Sequence, residues 1–181
     1  RLQALQYPGV SLLNDIAVGG CKINNGFEIE TASGRKFMGS KLIFATGIKD
    51  TMPDIKGFAD CWGISVIHCP YCHGYEFRHM PTGIMANGDK AFHLASLVNN
   101  LTDSLTLFTN GTPTFSPEQC EKLNKHQIKV VEKEIAEVRH SAGQLQHLVL
   151  SDGTKHPLAA LYSALPFEQH CHIPMELGGV L

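Results

Sequence analysis

Apolar residues in this chain gather in short runs separated by Gly, Pro and Asn, a pattern that predicts strands more often than helices. Residues 10–13 and 17–22 are such runs, and Asn24-Asn25-Gly26 is a hairpin signal because Asn and Gly tolerate positive φ. Residues 27–31 then alternate apolar and polar, and Ser33-Gly34 turns the chain back through residues 36–38. The expectation is a small antiparallel layer with one wet face. Residues 42–45, Leu-Ile-Phe-Ala, are apolar throughout, which predicts a strand buried on both faces. They run from Ala45 into Thr46-Gly47, where a glycine permits close approach to the backbone.

Residues 49–63 mix Pro, Gly and charge without a period and form the expected domain boundary. Beyond it, an apolar run at 65–67 precedes a second one at 82–85, which enters the glycine turn Ala86-Asn87-Gly88. From Ala91 the apolar positions 91, 94, 95, 98 and 101 follow helical spacing, and residues 105–108 form the next strand. That is a β-turn-α-β unit of the nucleotide-binding kind. Its G-x-G-x-x-G/A template is matched by Ala86, Gly88 and Ala91, with alanine in the first glycine position. Adenosine phosphates are normally read at the end of the second strand by an acid or by arginines, and Thr109-Asn110-Gly111 offers neither.

Ser116-Pro117-Glu118-Gln119 is a helix start, with Ser as N-cap, Pro at the first position and Gln placed for a capping box, and the helix should reach about Lys125. Strands are expected over 128–131, 135–140 and 145–150, with turns at 141–143 and 152–153, and a last apolar run spans 158–165. Residues 166–172 read as a second linker. The domain boundaries so drawn are 1–52, 53–165 and 166–181.

Length and composition narrow the class. The chain has 181 residues, 43% of them hydrophobic and 18% charged, enough for one or two globular domains with a core. A formal charge of -2 gives no sign of a nucleic-acid partner. No apolar run approaches the roughly 20 residues of a membrane helix, so an intracellular, cytoplasmic location without a membrane partner is the expectation. The chain opens at Arg1-Leu2-Gln3-Ala4-Leu5 as if inside a helix and stops at Gly178-Gly179-Val180-Leu181 as if entering a strand, which reads as an excerpt of a longer protein.

Six cysteines are present, but Cys21, Cys61, Cys120 and Cys171 lie in unrelated contexts and are expected to be ordinary buried thiols. Chemistry concentrates in Cys69-Pro70-Tyr71-Cys72-His73-Gly74. A C-x-x-C spacing brings two sulfurs within bonding reach across one tight turn, so the pair can cycle between dithiol and disulfide. C-x-x-C-H is also a haem attachment string, yet haem would want a distant Met ligand in a small helical protein. Zinc would take Cys69 and Cys72 with His73 or Cys61, but there is no second C-x-x-C knuckle. Two structural thiols are a further reading. His170-Cys171-His172 carries a His-x-His spacing, but ten histidines make chance pairs common, and no metal site is expected.

The order of these motifs resembles the low-molecular-weight thioredoxin reductases, near a branch of dithiol oxidases, and the likeness covers nearly the whole chain. Cys69 to Glu76 and Ala45-Thr46-Gly47 carry it most specifically. The resemblance implies an α/β fold, the central part of a two-domain FAD/NAD(P)-binding architecture with Rossmann-like three-layer domains and small antiparallel β layers. Residues 1–52 and 166–181 would be pieces of the FAD domain, and 53–165 the pyridine-nucleotide domain that carries the dithiol. It further implies FAD as cofactor, contacted through Ala45, Thr46 and Gly47. NADPH or NADH would sit at Ala86, Gly88 and Ala91, though the family's basic cluster for the 2′-phosphate is replaced by Thr109-Asn110-Gly111. Cys69 would be the interchange thiol and Cys72 the flavin-facing one, while His73 stands where many relatives have an acid and would move protons near neutral pH. The expected partner is a thioredoxin-like protein or a small-molecule dithiol or disulfide, and the full-length protein is expected to be a homodimer. Electron transfer from a dithiol to oxygen, or a redox or interaction module without flavin, are the alternatives.

Overall fold

The structure of the protein is a computed structural model in which residues 2–180 are described. Arg1 and Leu181 lie outside them; of the chain ends read as a helix interior and a strand entrance, the described residues show a short 3-10 turn at Ala4–Gln6 and no strand at 178–180. The chain divides into two compact units, Asp50–Pro166 and the combination of Arg1–Lys49 with Phe167–Leu181.

Asp50–Pro166 is built on a parallel sheet. Its strands, numbered along the whole chain, are β5 (Val66–Ile67), β6 (Thr82–Met85), β7 (Leu105–Phe108), β8 (Lys129–Val131) and β12 (Ala160–Ser163), and they lie in the order β5-β12-β6-β7-β8. Every neighbouring pair is parallel. All four residues of β7 and of β12 are buried, as a parallel strand covered on both faces requires. Successive side chains leave opposite faces, so one strand serves two cores. Val66, Phe108 and Leu161 point toward a second, antiparallel sheet, while Ile67, Leu107 and Tyr162 point toward the helices.

The second sheet has the order β11-β10-β9, from β9 (Ile135–Ser141), β10 (Gln144–Leu150) and β11 (Lys155–Pro157). Ala142 and Gly143 close its first hairpin with φ of 49° and 79°. Phe58, Cys61, Val138 and Leu148 fill the space between the two sheets. On the other face, α3 (Gly88–Val98) buries Ala91, Leu94, Ala95 and Val98, the helical stripe anticipated from spacing. Ser116 caps α4 (Pro117–Lys125), and Ser116 and Gln119 exchange both bonds of a capping box. Helix, parallel sheet and antiparallel sheet thus make three layers of a Rossmann-like domain.

Two features of this unit escaped the pattern. Residues 49–63, read as a linker, contain the single helical turn α1 (Phe58–Cys61), whose Phe58 and Cys61 are fully buried. Three-residue β11 lies between the turn expected at 152–153 and the run expected from 158, where no element was anticipated.

In the other unit, β1 (Ala17–Ile23), β2 (Gly26–Thr31) and β3 (Lys36–Gly39) form the antiparallel layer in the order β1-β2-β3. The hairpin turn falls at Asn24-Asn25 as expected, but neither Asn takes a positive φ. A short 3-10 turn (Ala4–Gln6), the two-stranded pair β4 (Ile48–Asp50) and β13 (Phe167–Gln169), and the turn α5 (Ile173–Glu176) complete it. β13 falls within the stretch read as a linker.

Residues 10–13 and 42–45, expected as strands, carry no regular structure and no ladder partner among the described residues. A strand is defined by its neighbour's hydrogen bonds, and this unit provides neither segment with one. Val10, Leu12, Leu13 and Ile43 stay in the open, Ile43 at 88% exposure, while Leu42 and Phe44 are half-buried. No helix among the described residues is long and apolar enough to cross a membrane.

Candidate active site

Cys69 leads directly out of β5 and adopts an extended backbone, with φ of -117° and ψ of 111°, as N-cap of the single turn α2 (Pro70–His73). Pro70 occupies the first helical position, where its missing N–H costs nothing. The turn closes when Cys72 N–H donates to the Cys69 carbonyl at 3.2 Å and Gly74 N–H to the Pro70 carbonyl at 2.8 Å. Gly74 is needed there because a Cβ would lie 2.3 Å from that same carbonyl oxygen.

This winding places the two sulfurs 2.8 Å apart, with Cys72 Sγ–H donating to Cys69 Sγ. The separation is well under a non-bonded sulfur contact and not far above the roughly 2.05 Å of a disulfide bond. Both thiols are free. The Cys72 thiol, and then the backbone N–H groups of Cys72 and Tyr71, hold the Cys69 thiol below its ordinary pKa. Cys72 is pushed up, first by the bond it donates to Cys69, then by burial and by the charge on Cys69. One thiolate and one thiol is the arrangement that disulfide exchange uses, because only the thiolate attacks.

His73, expected to serve the sulfurs, makes no hydrogen bond to either of them among the described residues. Its Nδ1 is buried and unpartnered, and its ring lines a groove in the same unit. Tyr162 of β12, which spacing did not single out, is also in this neighbourhood. Its phenol is pushed up to about 12 by burial, with contributions from negative charge at Cys69 and Glu76.

Ala86, Gly88 and Ala91 occupy the turn between β6 and α3, as the β-turn-α-β reading required. Gly88 has φ of 56°, and both it and Ala91 are buried. The turn is already engaged by its own chain. Asn87 Oδ1 accepts from Gly88 N at 2.8 Å and from Thr114 N at 3.0 Å, while Asn87 Nδ2 donates to the Thr112 carbonyl at 2.9 Å. A Cβ on Gly88 would come within 2.7 Å of Thr114 Oγ1. Thr109 and Asn110 are likewise bound internally, Thr109 Oγ1 donating to the Gly111 carbonyl and Asn110 Oδ1 accepting from Ile135 N. With Thr114 in this position, the turn does not offer a pyrophosphate the open helix N-terminus it needs.

In the other unit, Ala45, Thr46 and Gly47 are exposed on a segment without regular structure, and Gly47 has φ of 70°. Thr46 lines a recess of about 530 Å³ together with Asp15, His170 and His172. No glycine turn leading into a helix is present in this unit among the described residues. The described residues of this unit therefore supply no cradle for the pyrophosphate of an FAD. No group of three or more His, Cys, Asp or Glu side chains among the described residues could hold a metal ion. Of the four scattered cysteines expected to be buried, only Cys61 is; Cys21 and Cys120 are exposed and Cys171 is half-buried.

No family profile matches the sequence. The chain is 33% identical over 172 residues to thioredoxin reductase aclD of Aspergillus oryzae, an alignment covering 87% of this chain and 55% of the relative. It is 35% identical over 120 residues to thioredoxin reductase tcpT of Claviceps purpurea, covering 62% of this chain and 37% of that one. Among solved structures, a putative thioredoxin reductase TrxB from Bacillus anthracis superposes with a TM-score of 0.84 at 27% identity, over 96% of this chain and 58% of its own. An oxidoreductase from Agrobacterium tumefaciens gives 0.79 at 30% identity, over 92% of this chain and 55% of its own. The chain spans about half the length of these proteins, or less. With the layered fold and the paired sulfurs, these likenesses make the chain similar over nearly its whole length to part of the thioredoxin reductase-like disulfide oxidoreductases.

Proposed function

We propose that this chain is the dithiol-bearing part of a flavin-dependent disulfide oxidoreductase, and that Cys69 and Cys72 exchange electrons with an outside disulfide or dithiol. The observation that carries the reading is the 2.8 Å approach of Cys72 Sγ to Cys69 Sγ, with the two thiols shifted in opposite directions. Cys69, stabilised as thiolate, attacks one sulfur of the substrate and forms a mixed disulfide, releasing the first substrate thiolate. Cys72 then gives up its proton and attacks Cys69, closing the internal disulfide and releasing the second thiolate. The substrate gains two electrons and the protein dithiol loses two; a dithiol substrate runs the same steps backwards. His73 is the proposed carrier of the proton.

FAD is the cofactor proposed for the intact protein, where it would connect this dithiol to an electron donor or acceptor. Ala45, Thr46 and Gly47 would lie along it. Because the residues present do not complete its site, no step through it follows from this chain. A thioredoxin-like protein or a small disulfide would be the partner.

One observation favours a second reading. The clamp that Asn87 and Thr114 place over the glycine turn argues against a pyridine nucleotide as donor, which suits a dithiol oxidase that passes electrons to oxygen. Peroxide formed from a dithiol without any nicotinamide would support the oxidase, and none would be formed by a reductase. The shared reading is tested by equilibrating the chain in thiol buffers of graded potential: Cys69 and Cys72 should titrate as one two-electron couple, and independent oxidation of the two would reject it.

A further inference from the structure

A small cavity on the helical face of Asp50–Pro166 belongs neither to the dithiol nor to the glycine turn. It is lined by residues of α3 and α4 and of the segments that follow them, and it measures about 140 Å³. None of residues 69–74 lines it. At a rise of about 1.5 Å per residue, Ala95 stands about 10 Å along α3 from Gly88, which separates the cavity from the turn where a pyrophosphate would sit. Ala95, Leu123 and Ile128 form a buried floor, and Phe92 is a half-buried wall packed on the same core. A hollow of about 150 Å³ lined by Leu, Ile and Phe admits one benzene ring, and this floor has the same size and chemistry.

The mouth above that floor is polar and exposed, and it selects for charge. No carboxylate is among the lining residues. Ser96 Oγ donates to the Phe92 carbonyl at 2.9 Å and Asn100 Nδ2 to the Ser96 carbonyl at 3.0 Å, so these donors are spent on their own helix. Asn99 Nδ2 and His126 Nδ1 stand 3.4 Å apart and link the two helix ends. Lys122 makes no ion pair among the described residues. Glu118, one turn earlier on α4, accepts from Ser116 Oγ at 2.7 Å instead. Lys122 Nζ lies 5.8 Å from the centre of the Phe92 ring, a cation–π contact that keeps the ammonium at the cavity wall.

We propose that this cavity binds a small aromatic monocarboxylate, with its ring on Ala95, Leu123 and Ile128 and its carboxylate on Lys122. An apolar floor beneath an unpaired ammonium recognises both halves of such a molecule. An aromatic amine would set its charge against Lys122, and a neutral aromatic would leave that ammonium without a partner in the mouth. The site is independent of the exchange chemistry proposed above.

The full chain, isotope-labelled for amide NMR, can be titrated separately with sodium benzoate, benzyl alcohol and benzylamine. Benzoate should shift the amides of Ala95, Leu123 and Ile128 saturably and leave those of Cys72 and Gly74 in place. It should bind about fivefold tighter than benzyl alcohol, the scale of an exposed ion pair, and benzylamine should bind most weakly. Lys122→Met should bring benzoate down to the level of benzyl alcohol, and Ala95→Leu, which fills the floor, should remove the binding of both. Lys122 is exposed, so its variant decides the matter if Ala95→Leu does not fold. No saturable shift up to the solubility of benzoate, or saturable shifts centred on other residues, would overturn the assignment. So would equal affinities for benzoate and benzylamine, or an affinity for benzoate that Lys122→Met leaves unchanged.

Discussion

Asn87 and Thr114, 27 residues apart, are joined at the start of α3 by two bonds, Thr114 N–H and Thr114 Oγ1 both donating to Asn87 Oδ1 at 3.0 and 3.3 Å. The same oxygen accepts from Gly88 N, so the amide that a phosphate would claim is already bonded. Beyond β7 there is no arginine to reward a 2′-phosphate, since Thr109, Asn110 and Gly111 stand there.

The first prediction concerns this end of the domain. A charge-assisted contact is worth about 1.5–3 kcal/mol, so the absence of two removes at least about a hundredfold of preference for the 2′-phosphate. In the intact protein, NADPH and NADH should reduce the flavin at rates within about tenfold of each other, or not at all. Side-by-side stopped-flow traces check this, and a hundredfold advantage for NADPH would contradict it.

A second prediction follows from the asymmetry of the thiols. The Cys72 thiol is the largest influence lowering Cys69, so Cys69 should be the first cysteine of the pair alkylated by iodoacetamide as pH rises toward 8. Cys72→Ala removes the donor, and the alkylation midpoint of Cys69 should move upward toward an ordinary thiol. An unchanged midpoint would mean that the backbone N–H groups of Tyr71 and Cys72 suffice.

Much of the nucleotide-type domain was legible in the chain because its parallel strands β5, β6, β7 and β12 are buried almost throughout and read as apolar runs wherever they stand. The β-turn-α-β unit was legible for the same reason, helped by the four apolar positions Ala91, Leu94, Ala95 and Val98 of α3 and the Ser116 cap. Residues 10–13 and 42–45 show the limit: an apolar run announces burial, but pairing depends on a neighbour that local sequence does not contain. Phe58 and Cys61 are only one turn apart, too short for a period to register, and β11 is shorter still. The dithiol could be read from spacing. The pairing of Asn87 with Thr114 and the place of Tyr162 could not, because each depends on contacts between distant parts of the chain.

His156 of β11 supplies the third prediction. Its ring stands edge-on to Phe108 at 5.0 Å between centroids and 3.4 Å from Thr106 Oγ1, holding the antiparallel sheet against the parallel one. Burial, and then the charge of Lys129, lower its pKa in the folded state. A depressed folded value means that the neutral ring is favoured, so its stabilising contribution is present above the unfolded pKa of about 6.5 and is lost as pH falls through the folded value. Urea midpoints should therefore decline between pH 7 and 5, and His156→Gln should flatten that decline. A steeper decline in the variant would contradict the sign.

The fourth prediction concerns the two units. Buried side chains lie almost entirely in Asp50–Pro166, whereas the other unit buries little beyond Thr31, Ile173 and Leu177 and leaves Leu12, Leu13, Ile16, Val18 and Ile43 exposed. Limited proteolysis of the chain should leave a resistant core near residues 50–166 and cut the flanks first, because opening costs least where few apolar contacts are lost. Leu148→Ala, at a fully buried position, should shorten the life of that core by removing about 2–5 kcal/mol of stability. Flanks that outlast the core would contradict this division.

The central claim is that Cys69 and Cys72 work as one redox couple, and it is tested most directly by turnover of the intact protein in which both are changed to serine. With the enzyme's disulfide or dithiol substrate, Cys69→Ser/Cys72→Ser should abolish activity while leaving the circular dichroism spectrum of the fold unaltered. Full activity in that double variant would contradict the claim.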